Sequence, residues 1–342
     1  MKSFYCKRLY EEINFDAEKI YVCCGKSLGP SFPIPPKNIS NYESFLNKLV
    51  SWRFKCIKNA YLGNISSECQ KCIEIEKKET NFTNHFKTKF LSNISSFPIK
   101  NIIIKSYRQC EFACVYCLER KYTKGKKTLE ITASEFYNFL PILNTLINKK
   151  LINNKDLRIE FQGGSFSVWD EFQEILDKVV NYGVSEILYH TNAYTYIPKI
   201  SEYAKKVNSS MSISIDSGCK ETFEKVKSVN SFDNVVENII KYANSNINCS
   251  IKYILIKNLN DNLDEIKKYC NTIDYICSKI KDKNKISMMI DIDFRESLAN
   301  KNYEIPKEYI EIFDYLEEHS KKTGIPLGMQ DFIQKKLNQK NN

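Results

Sequence analysis

SMSISID, residues 210–216, alternates small polar and branched apolar side chains. Successive residues of a strand point to opposite faces, so Ser212, Ser214 and Asp216 share one face and Met211, Ile213 and Ile215 the other. The pattern recurs in LRIEFQ (157–162), where Arg158, Glu160 and Gln162 oppose Leu157, Ile159 and Phe161. It recurs again in ISMMIDID (286–293), where Asp291 and Asp293 oppose Ile290 and Ile292. Working outward, IKNIIIKS (99–106) reads as a strand before the helical TASEFYNFLPILNTLINKK, which opens on a capping box of Thr132 and Glu135. LRIEFQ leads into WDEFQEILDKVVNYG, stopped by Gly183, and SEILYHTN (185–192) into IPKISEYAKKV. SMSISID leads into a long helical region broken near Ser228–Phe232, CSIKYILIKN (249–258) into DEIKKYCNTIDYICSKI, and ISMMIDID into PKEYIEIFDYLEEHSKKTG. Six β-then-α units predict an α/β fold with a parallel sheet and right-handed crossovers. A doubly wound sheet buries both faces and reads as near-continuous apolar strands. A repeatedly polar face, with fewer than the eight units of a closed barrel, predicts a partial (β/α)6 TIM-like barrel around a wet cavity.

The chain has 342 residues, 42% hydrophobic and 27% charged, which suits one soluble α/β barrel with an appendage. Residues 1–96 are rich in Cys, Pro and Asn, with PSFPIPPKN as a turn-and-loop stretch. They predict a small Cys-rich metal-binding region, residues 97–322 the barrel, and 323–342 a polar tail that frays. The start, MKSFYCKRLYEEINF, lacks the apolar run of a secretory signal, and no window approaches the ~18 apolar residues of a membrane span. A cytoplasmic protein without membrane contact is expected. Thirteen cysteines in a reducing compartment then point to metal rather than to disulfides. The net charge of +10 comes from lysines scattered along the chain, without an arginine-rich stripe, so a solvated basic surface is expected and no nucleic-acid partner.

CEFACVYC, residues 110–117, sits just past the first predicted strand, at the end where such sheets build their sites. Cys110, Cys114 and Cys117 are odd in number and the expected setting is reducing, so they do not relax into two disulfides. Thiolates bind soft metals, and iron–sulfur clusters take cysteine ligands. Three ligands on a four-iron cube leave one iron open to a cofactor or substrate, whereas a structural zinc normally closes with four.

The Cys-x3-Cys-x2-Cys spacing, with Tyr116 before the last Cys, resembles the signature of radical S-adenosylmethionine (SAM) enzymes. FQGGS (161–165) resembles that family's Gly-Gly-Glu motif, SISID (212–216) its strand-four segment, and HTNA (190–193) its Thr-Asn-Gly strand end. IDSGCKETFEKVKSVNSFDNVVENI resembles the segment after strand four in the peptide- and protein-modifying branch. The resemblance covers residues 99–322. It implies a [4Fe-4S] cluster on Cys110, Cys114 and Cys117, with SAM chelating the fourth iron. It implies reductive cleavage of SAM to a 5′-deoxyadenosyl radical that abstracts hydrogen from a substrate. It further implies SAM contacts at Tyr116, Gly163, Gly164, Ser165, Asn192, Ser214, Asp216 and Lys227. Ser165 stands where the family motif ends in Glu. A hydroxyl accepts from an ammonium group without the charge-assisted part of the bond, for which another carboxylate such as Glu160 would compensate. Lys227 stands near a common arginine and supplies charge without the bidentate fork.

Cys23, Cys24, Cys69 and Cys72, with Cys56 as a substitute ligand, resemble pieces of the SPASM extension and imply an auxiliary [4Fe-4S] cluster, here N-terminal to the barrel. Zinc is the rival occupant, since Cys-x2-Cys serves it equally. Cys249, Cys270 and Cys277 read as buried packing. Cys219, just past strand four, is a candidate hydrogen-atom donor. Asp291 and Asp293 are candidate substrate contacts, or with Arg295 an ion pair at the barrel rim. The expected substrate is a peptide or protein side chain, and the expected reductant an electron donor such as flavodoxin or ferredoxin. A sugar, nucleoside or lipid-linked saccharide substrate, and a non-catalytic iron–sulfur scaffold, are the alternatives.

Overall fold

The computed structural model describes residues 7–16, 19–22, 30–35, 39–64, 99–105, 109–117, 139–293, 295, 304–329 and 333. The chain divides into two compact units: residues 1–108, 130–164 and 169–187 form one, and 109–129, 165–168 and 188–342 the other. The division cuts across the boundary expected at 96 and 97. The reason is a strand the sequence reading did not find, described next.

In the first unit α1 (Lys7–Glu11) runs directly into β1 (Glu12–Asp16), which pairs in parallel with β4 (Asn101–Lys105) over its whole length. β4 pairs in parallel with β5 (Arg158–Phe161), while β2 (Lys19–Tyr21) and β3 (Ser31–Pro33) add antiparallel strands beyond β1. The order is therefore β5-β4-β1-β2-β3. Ile102, Ile103 and Ile104 are all buried, the near-continuous apolar run of a strand covered on both faces. α2 (Tyr42–Tyr61) starts at Asn41, whose side chain accepts from the Ser44 amide at 2.8 Å. It buries Phe45, Leu46, Leu49 and Ile57 at helical spacing. α3 (Leu140–Asn148) buries Ile142, Leu143 and Leu146, and Phe139 before it meets Phe15 edge-on at 4.9 Å. The capping box at Thr132 and Glu135 lies outside the described residues. α4 (Phe172–Tyr182) packs Phe172 on Phe161 of β5 and stops at Gly183, whose φ of 79° is the left-handed conformation expected of a glycine cap.

The second unit carries β6 (Glu186–Thr191) from Leu188 onward, then α5 (Pro198–Tyr203), β7 (Asn208–Ser214), α6 (Lys220–Lys227) and α7 (Phe232–Asn244). β8 (Asn248–Leu255), α8 (Leu263–Lys279), β9 (Ile286–Ile292), α9 (Lys307–Thr323) and β10 (Leu327–Met329) follow. The strand order is β10-β9-β8-β7-β6, and β7, β8, β9 and β10 pair in parallel. The alternation of 210–216 holds: Met211, Ile213 and Ile215 are buried, while Ser210, Ser212 and Ser214 are only half-buried. The break between α6 and α7 falls where expected, with Ser228 in the left-handed region at φ 62°. Cys249, Cys270 and Cys277 are buried among the packed elements. The tail expected from 323 needs correcting, because β10 pairs Leu327–Met329 with Met288–Ile290. Both units are α/β, and their strands pair mostly in parallel. Among the described residues, no helix is long and apolar enough to cross a membrane.

Candidate active site

The cysteine loop belongs to the second unit and is fastened to the carboxyl end of its strands. The Ala113 amide donates to Lys227 O at 3.2 Å and the Val115 amide to Val226 O at 3.0 Å, while Ser228 Oγ donates to Ala113 O. These bonds tie the loop to the last turn of α6. Val115 and Tyr116 also pack on Val226, Ile254 and Ile256. Inside the loop the Cys117 amide donates to Cys114 O at 3.0 Å, a turn that folds the thiols to one side.

Under the loop lies a buried charge pair. Lys227 and Asp216, at 1% and 0% side-chain exposure, form an ion pair, and Tyr116 OH donates to Asp216 Oδ2 at 2.6 Å. Lys227 Nζ also donates to Tyr116 OH at 2.8 Å and lies 5.1 Å from the centre of its ring. Asp216 Oδ1 accepts from the Ile254 amide at 2.8 Å. The Asp216 backbone sits at φ 53°, and buried Asn260 holds its carbonyl at 2.8 Å. Burial alone would lower the Lys227 pKa, but Asp216 and the Cys114 thiol raise it, so the ammonium stays charged. A second pair acts from β9: Asp293 grips Arg295, and Arg295 Nη1 donates to Val115 O at 2.8 Å. Asp293 and Arg295 thus form an ion pair.

At the other end of the loop is a polar chain. Asn192 Nδ2 reaches Cys110 Sγ at 3.5 Å and donates to Glu111 Oε2 at 3.2 Å, while Ser167 Oγ donates to Glu111 Oε1. Ser167 shares a 2.6 Å hydroxyl contact with Ser165, whose amide donates to Gln109 O at 2.6 Å. Ser165 and Asn192 therefore meet the cysteine loop through Glu111, a residue the sequence reading passed over. Its one signal was its place between Cys110 and Cys114.

The remaining candidates lie elsewhere. In the first unit Gly163 and Gly164 have φ of 77° and 42°, two consecutive left-handed residues that side chains other than glycine's oppose. Glu160, in the same unit, is buried and accepts from Asn101 at 3.1 Å and Gln162 at 2.7 Å. Ser214 is half-buried at the end of β7. Asp291 pairs with Lys252 at 2.6 Å, and burial raises its pKa against the pull of that lysine. Cys219 precedes α6, and its thiol contacts Thr222 Oγ1 at 3.5 Å and Glu265 Oε2 at 4.0 Å. Cys23, Cys24, Cys69 and Cys72 lie outside the described residues. Cys56 is on α2.

Three thiols on one loop are a donor set that a four-iron cluster accepts. None of the described cysteines is in a disulfide. Burial pushes the Cys110 thiol up to about 12 and raises Cys114 despite the nearby Lys227, and a bound metal deprotonates such thiols. Among the described residues, no three His, Cys, Asp or Glu side chains converge closely enough for one ion.

Residues 104–270 match the sequence profile of the Radical SAM superfamily. The part of the chain that resembles a Radical SAM domain is thus just under half of it. Among curated proteins, a GTP 3′,8-cyclase of Haemophilus influenzae is 26% identical over 156 residues, 45% of this chain and 44% of that protein. The radical SAM cyclopropyl synthase TigE of Paramaledivibacter caminithermalis is 34% identical over 131 residues, 35% of this chain and 27% of that protein. The matched part thus spans less than half the length of these relatives. Among solved structures, Streptococcus suis SuiB bound to S-adenosylmethionine superposes with a TM-score of 0.48 at 14% identity, over 84% of this chain and 61% of that one. The match and the enzyme-named relatives support an enzyme, and the superfamily so matched implies SAM and a [4Fe-4S] cluster.

Proposed function

We propose that this enzyme uses SAM and a [4Fe-4S] cluster to abstract hydrogen from a peptide or protein side chain, on a partial (β/α)6 barrel. The observation that carries the reading is the loop of Cys110, Cys114 and Cys117, fastened by backbone bonds and two ion pairs at the carboxyl end of parallel strands. The bound cofactors supply the reductive cleavage of SAM and the radical chemistry that follows. The chain's own residues do the rest. Cys110, Cys114 and Cys117 are the cluster ligands. Gly163 and Gly164 offer backbone amides that no side chain shields, and Ser165, Asn192 and Ser214 offer neutral polar contacts to SAM. Tyr116, Asp216 and Lys227, cofactor contacts in the sequence reading, serve in this reading mainly to hold the loop. Asp291 and Cys219 remain candidates for substrate contact and hydrogen donation. Cys23, Cys24, Cys69 and Cys72 are assigned to an auxiliary [4Fe-4S] cluster of SPASM type, and a flavodoxin- or ferredoxin-like protein to electron delivery in the cytoplasm.

The peptide substrate is supported by the segment after β7, whose sequence resembles that of peptide-modifying relatives. A nucleotide substrate is the second reading, favoured by the GTP 3′,8-cyclase match. The test is anaerobic: reconstituted protein with SAM and dithionite, and 5′-deoxyadenosine quantified by mass spectrometry. Wild type is expected to form it, and the Cys110→Ala, Cys114→Ala, Cys117→Ala variant is expected to form none. No product from a protein with an intact cluster would overturn the reading. Deuterium transfer into 5′-deoxyadenosine from labelled candidate peptides or from labelled GTP separates the two substrates.

A further inference from the structure

The first unit holds a small cavity between α2, the end of α3 and β1, with a volume of about 100 Å³. Its lining joins eight apolar side chains, among them Ile13, Leu49 and Leu146, to three cations, Arg53, Lys149 and Lys150. Among the described residues, no carboxylate lines it. Lys149 is half-buried and reaches out to Glu43 at 2.7 Å, and Lys150 is exposed, so the cavity meets solvent beside the end of α3. Arg53 is different: it is only 7% exposed, on the inner face of α2. Burial lowers its pKa to about 10, against an upward pull from the Cys56 thiol, so the guanidinium stays charged at neutral pH. A charge held against apolar walls favours a counter-charge beside it. A guanidinium carries five donors in a planar fork, and that fork matches the two oxygens of a carboxylate. Size narrows the choice further. An engineered apolar cavity of about 150 Å³ holds benzene, so a cavity of 100 Å³ has room for about four carbons. A branched aliphatic group fits that space, whereas a sugar or a nucleobase does not. A bare inorganic anion would leave the apolar walls facing water.

We propose that this cavity binds a short branched carboxylate, with the carboxylate on the Arg53 guanidinium and the alkyl end against Ile13, Leu49 and Leu146. A free acid such as isovalerate has this chemistry, and so does a leucine at the C-terminus of a peptide. None of the lining residues is assigned to SAM or to a cluster, so the proposal stands or falls independently of the SAM-dependent reading.

The test is ligand-detected NMR titration of the full chain, purified without oxygen. The probes are isovalerate, its neutral isostere isovaleramide, and N-acetyl-alanyl-leucine with a free or an amidated carboxyl group. At least one of the two acids is expected to bind the wild type, and its amide about tenfold or more weakly, because the charged hydrogen bonds to Arg53 are lost. Arg53→Met keeps an unbranched apolar stem, removes the charge, and is expected to weaken binding of the acid by a similar factor. Val50→Phe puts a larger side chain into the cavity wall with the charge intact, and is expected to abolish binding. Binding of isovalerate alone assigns the site to a free acid, and binding of the peptide acid assigns it to a chain end; both support the proposal. No binding of either acid overturns it, as does equal binding of acid and amide, or binding undiminished in Arg53→Met. Should Arg53→Met fail to fold, Val50→Phe decides, and binding unchanged in that variant overturns the proposal.

Discussion

Lys227 shows what a single residue decides at this site. Its ammonium is buried with the Asp216 carboxylate, and both reach Tyr116 of the cysteine loop. Removing one partner of a buried pair leaves the other desolvated and uncompensated, at a cost of about 3–5 kcal/mol. Lys227→Met is therefore expected to lower unfolding stability by that amount in chemical denaturation, and to reduce the iron retained on reconstitution. Asp216→Asn combined with Lys227→Met should recover part of the loss, because neither charge is then stranded. A single variant as stable as wild type would show that the pair does not support the loop. The sequence marked Tyr116, Asp216 and Lys227 as belonging to one site, and they do meet. It could not say which partner each charge takes, because spacing along a chain does not rank a carboxylate against a ligand. Glu111 went unread for a similar reason: a loop glutamate looks like any solvated charge until its neighbours are known.

Among the elements, the alternating strands and amphipathic helices were the most legible, because periods of 2 and 3.6 survive any tertiary context. β7 and α4 follow their patterns closely, down to the glycine that ends α4. β1 was illegible: five residues with charges at both ends carry little pattern, and its pairing with β4 spans a long stretch of sequence. α2 was legible but hidden, its apolar face of Phe45, Leu46, Leu49 and Ile57 lying in a region read for cysteines and prolines. The turn from β7 into α6 depends on close backbone approach. A Cβ on Gly218 would lie 2.0 Å from the backbone of Lys268 and Tyr269 in α8. Neither atom is a yielding side-chain end, so the helix or the turn must shift. Gly218→Ala is expected to cost about 1–3 kcal/mol or more, as core overpacking does. Thermal unfolding checks this, and an unchanged midpoint would mean that the turn and α8 are not in fixed register.

For the whole chain, the open quantity is how much metal one molecule carries. The proposed cluster on the cysteine loop is one, while Cys23, Cys24, Cys69 and Cys72 belong to a second only if the proposed auxiliary site exists. Composition alone posed the question, since thirteen cysteines exceed what one loop and three buried packing positions use. Nothing in spacing separates iron–sulfur from zinc at a Cys-x2-Cys pair, because both metals accept thiolates at that distance. Metal analysis does separate them. With two four-iron clusters, the reconstituted chain is expected to hold about eight iron and eight sulfide ions, and the variant lacking Cys110, Cys114 and Cys117 about four of each. About four iron in the wild type and none in the variant, with about one zinc in both, would assign the N-terminal cysteines to zinc. Iron in the wild type alone, without zinc, would leave those cysteines as ordinary thiols and remove the SPASM-type reading, while the cluster on the loop would stand.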